Sequence, residues 1–358
     1  MSGANELKTN EQVRIMPADR VVTNGMDIID YLRLTAEVAK GIPWANACDR
    51  LGDEAAQYAR KALGEGHSLT ARQFFLNATA AYRVGQYTII PDNTEKISMY
   101  RKLIDSYSEA AKLYSPVIER VEIPYEDYKM VGWLRFPEKN YGTNCPVVVS
   151  IGGADGWREE HHNYSNYYSE RGIAYLMIDG PGQGETRLFN KAYMPLDVEK
   201  PLSAIIDYMY KDNRVGTKIG IVGYSFGGYL TARTASYNKK LKACCIIGGS
   251  YEPKEILNFL PNFTHVFSAL TNKNQDEVMQ MLEEMNMKGL SQNISCPLLV
   301  IHGRPDPLFS VSGVQRIYDE ASSTNKTIKI WEDGNHCVTN HSTEVITTVA
   351  DWFADTLC

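Results

Sequence analysis

From residue 26 the apolar positions recur at helical spacing. Ile28, Ile29, Tyr31, Leu32, Leu34 and Val38 mark one helix, which stops at Gly41 with Pro43 beyond. A second over 46–63 carries Ala47, Leu51, Ala55, Tyr58, Ala59 and Ala62 on its apolar side and ends at Gly64 and Gly66. Ser68 or Thr70 can cap a third, running to about Tyr87, and Thr94 caps a fourth that Pro116 stops near Tyr114. These helices share no fixed internal period, which excludes a repeat array. At Ile118 the pattern changes to period two. Val121, Ile123 and Tyr125 alternate, as do Met130, Gly132, Leu134 and Phe136, with Glu126-Asp127 between them, which reads as a β-hairpin.

Beyond the hairpin come continuous apolar runs at 146–151, 173–178, 219–224, 241–247, 297–301 and 328–331, each suited to a strand buried on both faces. Helical stretches at 160–171, 198–210, 226–237, 312–321 and 342–356 separate them. Alternating strand and helix predicts a parallel, doubly wound sheet, and the hairpin makes it a mixed sheet of about eight strands. Residues 251–290, helical and Met-rich, interrupt the alternation as an insertion, and their Met and aromatic residues are read as ordinary core. The expected organisation is therefore a polar arm at 1–24, an all-helical domain at 25–117 and an α/β domain at 118–358.

Composition narrows the function. A net charge of −6 without any Lys/Arg-rich block argues against nucleic-acid binding. No apolar run reaches the ~18 residues of a membrane span, and the N-terminus lacks a signal core. The seven cysteines are odd in number and form no CxxC, so they read as reduced thiols of a cytoplasmic protein. No His/Cys/Asp/Glu group has metal spacing. His161 and His162 are adjacent and would face about 100° apart on a helix.

The chemistry gathers where strands end. Gly223-Tyr224-Ser225-Phe226-Gly227 follows an apolar strand and opens a helix, the setting of a nucleophile elbow. Gly223 and Gly227 keep the sharp turn free of side chains, and Gly228 lets the helix lie close to the sheet. In an open parallel sheet the site lies beyond the carboxyl ends of the strands. There, His302-Gly303-Arg304-Pro305-Asp306 follows the seventh strand, and Asp333-Gly334-Asn335-His336 follows the last. Ser225, Asp306 and His336 thus occur in the chain order expected of such a sheet: nucleophile, orienting acid and base. Asp333 is a rival acid read as a turn former, His302 reads as structural, and His341 lies at the cap of the last helix. An oxyanion site needs two backbone donors. One is the amide of Phe226, and the other is Ala154, with Gly153 as the alternative, in the loop Gly152-Gly153-Ala154-Asp155-Gly156. Asp179-Gly180-Pro181-Gly182-Gln183-Gly184 is glycine-rich but lacks the phosphate-binding pattern, and reads as a rigid loop at the rim of the site.

Several stretches together carry a family resemblance. They are Gly66-His67-Ser68, Ala71-Arg72-Gln73-Phe74-Phe75-Leu76-Asn77-Ala78 and Ala81-Tyr82-Arg83 in the helical part, and Gly152-Gly153-Ala154-Asp155, Asp179 to Gly184 and Gly334-Asn335-His336 beyond it. The chain resembles the α/β-hydrolase group that holds 2,6-dihydroxypseudooxynicotine hydrolase, the fungal polyketide-shortening hydrolases of pigment synthesis and FrsA-like esterases. The resemblance implies a cap-like helical domain over the strand ends and a site in the cleft between domains. It implies hydrolysis of an ester, or of a carbon–carbon bond next to a carbonyl, in a small aromatic or polyketide-like substrate, with no cofactor and with a homodimer as the assembly. It also implies an auxiliary Glu, for which Glu252 is the candidate and Glu255 a neighbour. Acyl transfer or cyclisation on the same three residues is the alternative activity, and a non-catalytic ligand-binding protein is the alternative class.

Overall fold

The computed structural model describes residues 16–139, 142 and 144–358. Its sheet has eight strands in the order β1-β2-β4-β3-β5-β6-β7-β8. β1 (Glu119–Tyr125) and β2 (Tyr128–Arg135) are the expected antiparallel hairpin, and β2 also pairs antiparallel with β4 (Ala174–Asp179). β3 (Cys145–Ile151), β5 (Val215–Tyr224), β6 (Ala243–Ile247), β7 (Leu298–Gly303) and β8 (Lys326–Trp331) complete the sheet in parallel register. Six of the seven residues of β3 and every residue of β4, β6 and β7 are buried. β8 departs from that expectation: none of its residues is fully buried and two are exposed, because it is an edge strand with one neighbour.

The first third is helical. Within the expected arm, residues 1–15 lie outside the described residues, and the remainder corrects the reading: Ala18–Thr23 is a helix, α1. Only Val21 of its six residues is buried, too few for a periodic signal. It is held by polar contacts described below. α2 (Ile28–Val38), α3 (Trp44–Gly64), α4 (Ser68–Gly85) and α5 (Thr94–Lys112) follow. Asn93 caps α5 by accepting from the Lys96 amide at 2.9 Å. On α5, Tyr107 packs on Trp133 of β2 with ring centroids 4.8 Å apart, which ties the helices to the sheet.

The other helices flank the strands: α6 (His162–Glu170), α7 (Gly184–Leu188), α8 (Glu199–Met209), α9 (Phe226–Tyr237), α13 (Val311–Glu320) and α14 (Ser342–Leu357). The insertion after β6 carries α10 (Ile256–Phe259), α11 (Thr264–Thr271) and α12 (Gln275–Glu284). Met281, Met285 and Met287 are buried in the main core. Among the described residues, no helix is long and apolar enough to cross a membrane.

Candidate active site

β5 delivers Ser225 with φ +59° and ψ −127°, a left-handed conformation that a non-glycine residue adopts only at some cost. The glycines around it explain how the turn is built. A Cβ on Gly223 would lie 2.0 Å from the Gly227 carbonyl oxygen, and one on Gly227 would lie 2.5 Å from the carbonyl oxygens of Ile151 and Gly152. The Phe226 amide opens α9, where the helix end carries partial positive charge.

The structure brings the three strand-end residues together. The Ser225 hydroxyl lies 2.8 Å from His336 Nε2, and Asp306 Oδ2 lies 2.8 Å from His336 Nδ1. The other oxygen of Asp306 accepts from the amides of Leu308 at 2.9 Å and Phe309 at 3.3 Å, which fixes the carboxylate. Burial disfavours the His336 imidazolium, but the neighbouring Cys337 sulfur and the Asp306 carboxylate favour it and prevail, so the ring is held above the ordinary histidine range. Burial also works against the Asp306 charge, and His336 outweighs it, so that carboxyl is held below its usual value.

The rivals go elsewhere. His302 is buried under the acid, with Nε2 3.0 Å from the Phe309 carbonyl and 3.7 Å from Asp306. Asp333 pairs with His341 at 2.9 Å, away from Ser225. Glu252, the candidate auxiliary acid, is exposed and is not among the residues that line the Ser225 cavity. Pro253 starts a 3-10 turn just after it, and the next acid, Glu255, turns back to accept from Ser250 Oγ at 3.2 Å and the Ser310 amide at 2.9 Å.

Gly153 abuts the serine: a Cβ there would stand 3.2 Å from Ser225 Cβ and 3.5 Å from Oγ. Ala154 follows it, buried. Gln183 clamps this loop. Its Nε2 donates to the carbonyls of Gly152 at 2.7 Å and Gly153 at 3.0 Å, while its Oε1 accepts from the Gly180 amide at 3.0 Å. The loop that carries Gln183 is anchored through Asp179, which accepts from the Arg158 guanidinium at 3.0 Å, the Glu185 amide at 3.1 Å and the Tyr100 hydroxyl at 3.2 Å. The glycine-rich stretch is therefore a rigid rim that also holds the Gly152–Gly153 backbone.

Sequence reasoning missed how the helical third and the segment after β3 together wall the space before Ser225. A cavity of about 60 Å³ is bounded by Ser225, His336, Arg20, Glu160, His161 and Tyr164 among others. Arg20 of α1 pairs with Glu160 at 3.0 Å and reaches Asp155 at 3.4 Å. Asn24 donates to Glu160 at 2.7 Å, and Thr339 donates to Asp19 at 2.7 Å, so α1 is tied on both sides of the cavity. His161 Nδ1 lies 2.8 Å from Ser150 Oγ, and burial pulls its imidazolium down to about 4, so the ring is neutral at physiological pH. His162 instead meets the hydroxyls of Tyr107 at 2.8 Å and Tyr114 at 3.0 Å. None of these residues stands in a spacing that would have revealed it.

A mixed sheet in this strand order, with a serine at a strained strand-to-helix turn, is the architecture of an α/β-hydrolase, and the chain is one. It belongs to the family described as Esterase FrsA-like, which matches residues 44–358. The chain is 26% identical to a 2,6-dihydropseudooxynicotine hydrolase from Paenarthrobacter nicotinovorans over 352 residues, covering 96% of this chain and 94% of that one. It is 28% identical to the hydrolyase poxO of Penicillium oxalicum over 278 residues, covering 73% of this chain and 64% of the relative. The crystal structure of 2,6-dihydroxy-pseudo-oxynicotine hydrolase superposes with a TM-score of 0.86 at 25% identity, covering 95% and 96% of the two chains.

Proposed function

We propose that the protein is a serine hydrolase in which Ser225 is the nucleophile, His336 the general base and acid, and Asp306 the group that orients the imidazole. The hydrogen-bonded chain from Ser225 through His336 to Asp306 carries this reading. Ser225 Oγ attacks a substrate carbonyl carbon as its proton passes to His336 Nε2. The oxyanion is met by the amides of Phe226 and Ala154, with Gly153 as the alternative donor. As the tetrahedral centre collapses, the bond to the leaving group breaks with its electron pair. The imidazolium returns the proton to that group: a carbon for a ketone substrate, an oxygen for an ester. Water then attacks the acyl-enzyme, giving its proton to His336, and releases a carboxylic acid and free Ser225.

The substrate favoured by this reading is a small ketone or polyketide-like molecule cleaved next to its carbonyl, or an ester of similar size. The nearly full-length likeness to a 2,6-dihydropseudooxynicotine hydrolase supports it. The same likeness suggests a homodimer, which light scattering would test. A fluorophosphonate probe tests the nucleophile: the folded protein should gain one adduct at Ser225, and Ser225→Ala should gain none. An unlabelled wild-type protein, or equal labelling of Ser225→Ala, would refute the reading.

A further inference from the structure

A second cavity, of about 70 Å³, borders the same loop as the first. Ala154, Asp155, Gly156 and Gln183 form one wall, Val266 and Ala269 of α11 another, and Tyr87, Ile89 and Ile90 a third. Asp155 borders both cavities, and Gly153, next in the chain to Ala154, touches Ser225. The two cavities therefore lie on either side of the backbone of residues 153–155, which is their common wall.

Lys96, in the first turn of α5, borders this second cavity and is only 5% exposed. Its ammonium has three N–H donors. The one hydrogen bond it makes is to the Ile90 carbonyl, at 3.4 Å. Among the described residues it has no acidic partner within ion-pair distance, whereas Arg187 beside it is engaged by Asp92 at 3.1 Å. A buried ammonium without a carboxylate in direct contact is costly, and such groups are normally paired. The remaining lining joins an apolar side, Ile89, Ile90, Trp157, Val266 and Ala269, to a polar one with Gln86, Thr88, Gln183, Asp155 and Arg187, and the apolar side suits the body of an organic ligand.

We infer that this cavity is a subsite for an anionic oxygen of the substrate, a carboxylate or an ionised enol, received by the Lys96 ammonium while the attached carbons lie against Ile89, Ile90 and Val266. The inference rests on the hydrolase reading for the word substrate, but its test does not. The charged groups acting on the Lys96 amine are Arg187, Asp92 and Asp155, while the Tyr87 hydroxyl, which also lines the cavity, accepts from Arg20 and Arg83. Burial, then Arg187, pull it down to about 7, against the smaller opposing pull of the two aspartates. Burial pushes the Tyr87 phenol up to about 12, so that group stays neutral. An arriving anion would favour the charged amine, so binding should take up a proton near neutral pH and weaken as the pH rises above 7.

Isothermal titration of Ser225→Ala protein with benzoate, with dimedone as an ionised 1,3-diketone, and with neutral benzamide tests this without turnover. Benzoate or dimedone should bind at pH 6.5 and benzamide should not, and whichever anion binds identifies the class. Lys96→Met in the same background should weaken that binding roughly tenfold or more, the scale of one lost ion pair. Its melting temperature should stay level or rise, because a buried unpaired charge has been removed. Anion binding that survives Lys96→Met, binding of benzamide equal to that of the anions, or no binding at all overturns the inference. So does a Lys96→Met protein that melts below its parent, since the ammonium would then serve the fold. Because Ser225 labelling is measured separately, either reading can fail while the other stands.

Discussion

Gln183 offers the sharpest test of how the site is held. It is 2% exposed and makes three hydrogen bonds to backbone: it donates to the carbonyls of Gly152 and Gly153 and accepts from the Gly180 amide. Gln183→Met keeps the length and removes all three. Each buried group left without a partner costs about 1–3 kcal/mol, but a carbonyl has two lone pairs and the Gly153 contact is only partly buried, so about 2–4 kcal/mol in total is expected. The rate effect is separate. Losing an oxyanion donor outright costs about 10²–10³-fold in kcat, so on the proposed mechanism loosening the loop assigned one should cost ~10–100-fold. KM should change little, because the loss falls on the transition state. Gln183→Glu is the sharper variant. One oxygen can still accept from Gly180, while the other replaces a donor and faces two carbonyl oxygens. At pH 7 it should be at least as damaged as Gln183→Met. Acidification should narrow its stability deficit relative to wild type, because a protonated carboxyl regains a donor. Turnover of 4-nitrophenyl butyrate, the fluorophosphonate labelling rate and thermal melts at pH 7 and pH 4.5 would measure these effects. Wild-type kcat and melting in both variants would refute the clamp.

Four further outcomes follow from the site's electrostatics and packing. His336 must be neutral to act as the base, and its pKa is raised from 6.5, so kcat/KM should fall on acidification through a limb above pH 6.5, and Cys337→Ala should move that limb down. By linkage, the raised pKa gives a stabilisation that is complete below 6.5 and lost as the pH climbs through the folded-state value, which urea melts of wild type and His336→Ala across pH 6–10 would show. Gly227→Ala drives a Cβ to 2.5 Å from two backbone oxygens, so it should destabilise by more than about 3 kcal/mol or fail to fold, read by soluble yield and melting. Arg20→Met strips Glu160 of its 3.0 Å partner but leaves Arg83 at 3.6 Å and Asn24 at 2.7 Å, so a loss of about 1–3 kcal/mol in urea unfolding at pH 7 is expected.

The parts that were legible in the sequence share one cause. Strands buried on both faces must be apolar throughout, so β3, β4, β5, β6 and β7 stood out as runs, and the topology then fixed which loops share the carboxyl edge. Ser225, Asp306 and His336 were legible because each follows its own strand, not because of their spacing in the chain. The illegible parts are contacts between polar residues distant in sequence. Arg20 lies 140 residues before Glu160, and Tyr100 lies 79 before Asp179. A charged residue about to be buried reads like one about to be solvated, because the partner that makes burial tolerable arrives from another element. The acids after β6 were hard to tell apart for a related reason: position said which loop Glu252 and Glu255 were in, but the turn at Pro253 leaves Glu252 exposed and directs Glu255 to Ser250 and Ser310.

The same contacts change how the helical third is understood. A lid over a finished site would meet it mainly through apolar surface. Here the helices instead supply the partners of the site's own buried polar groups. Arg20 and Arg83 neutralise Glu160, Gln86 donates to the Asp155 carbonyl at 3.1 Å, and Tyr100 donates to Asp179. Each acceptor belongs to the loop after β3 or to the end of β4, where the Gly152–Ala154 loop and its Gln183 clamp are built. Without the helices Glu160 would lose Arg20, Arg83 and Asn24, and Asp179 would keep only Arg158 and the Glu185 amide, so the helical part and the strand-end loops are ordered together. The geometry that puts Gly153 against Ser225 therefore depends on residues up to 140 positions earlier in the chain.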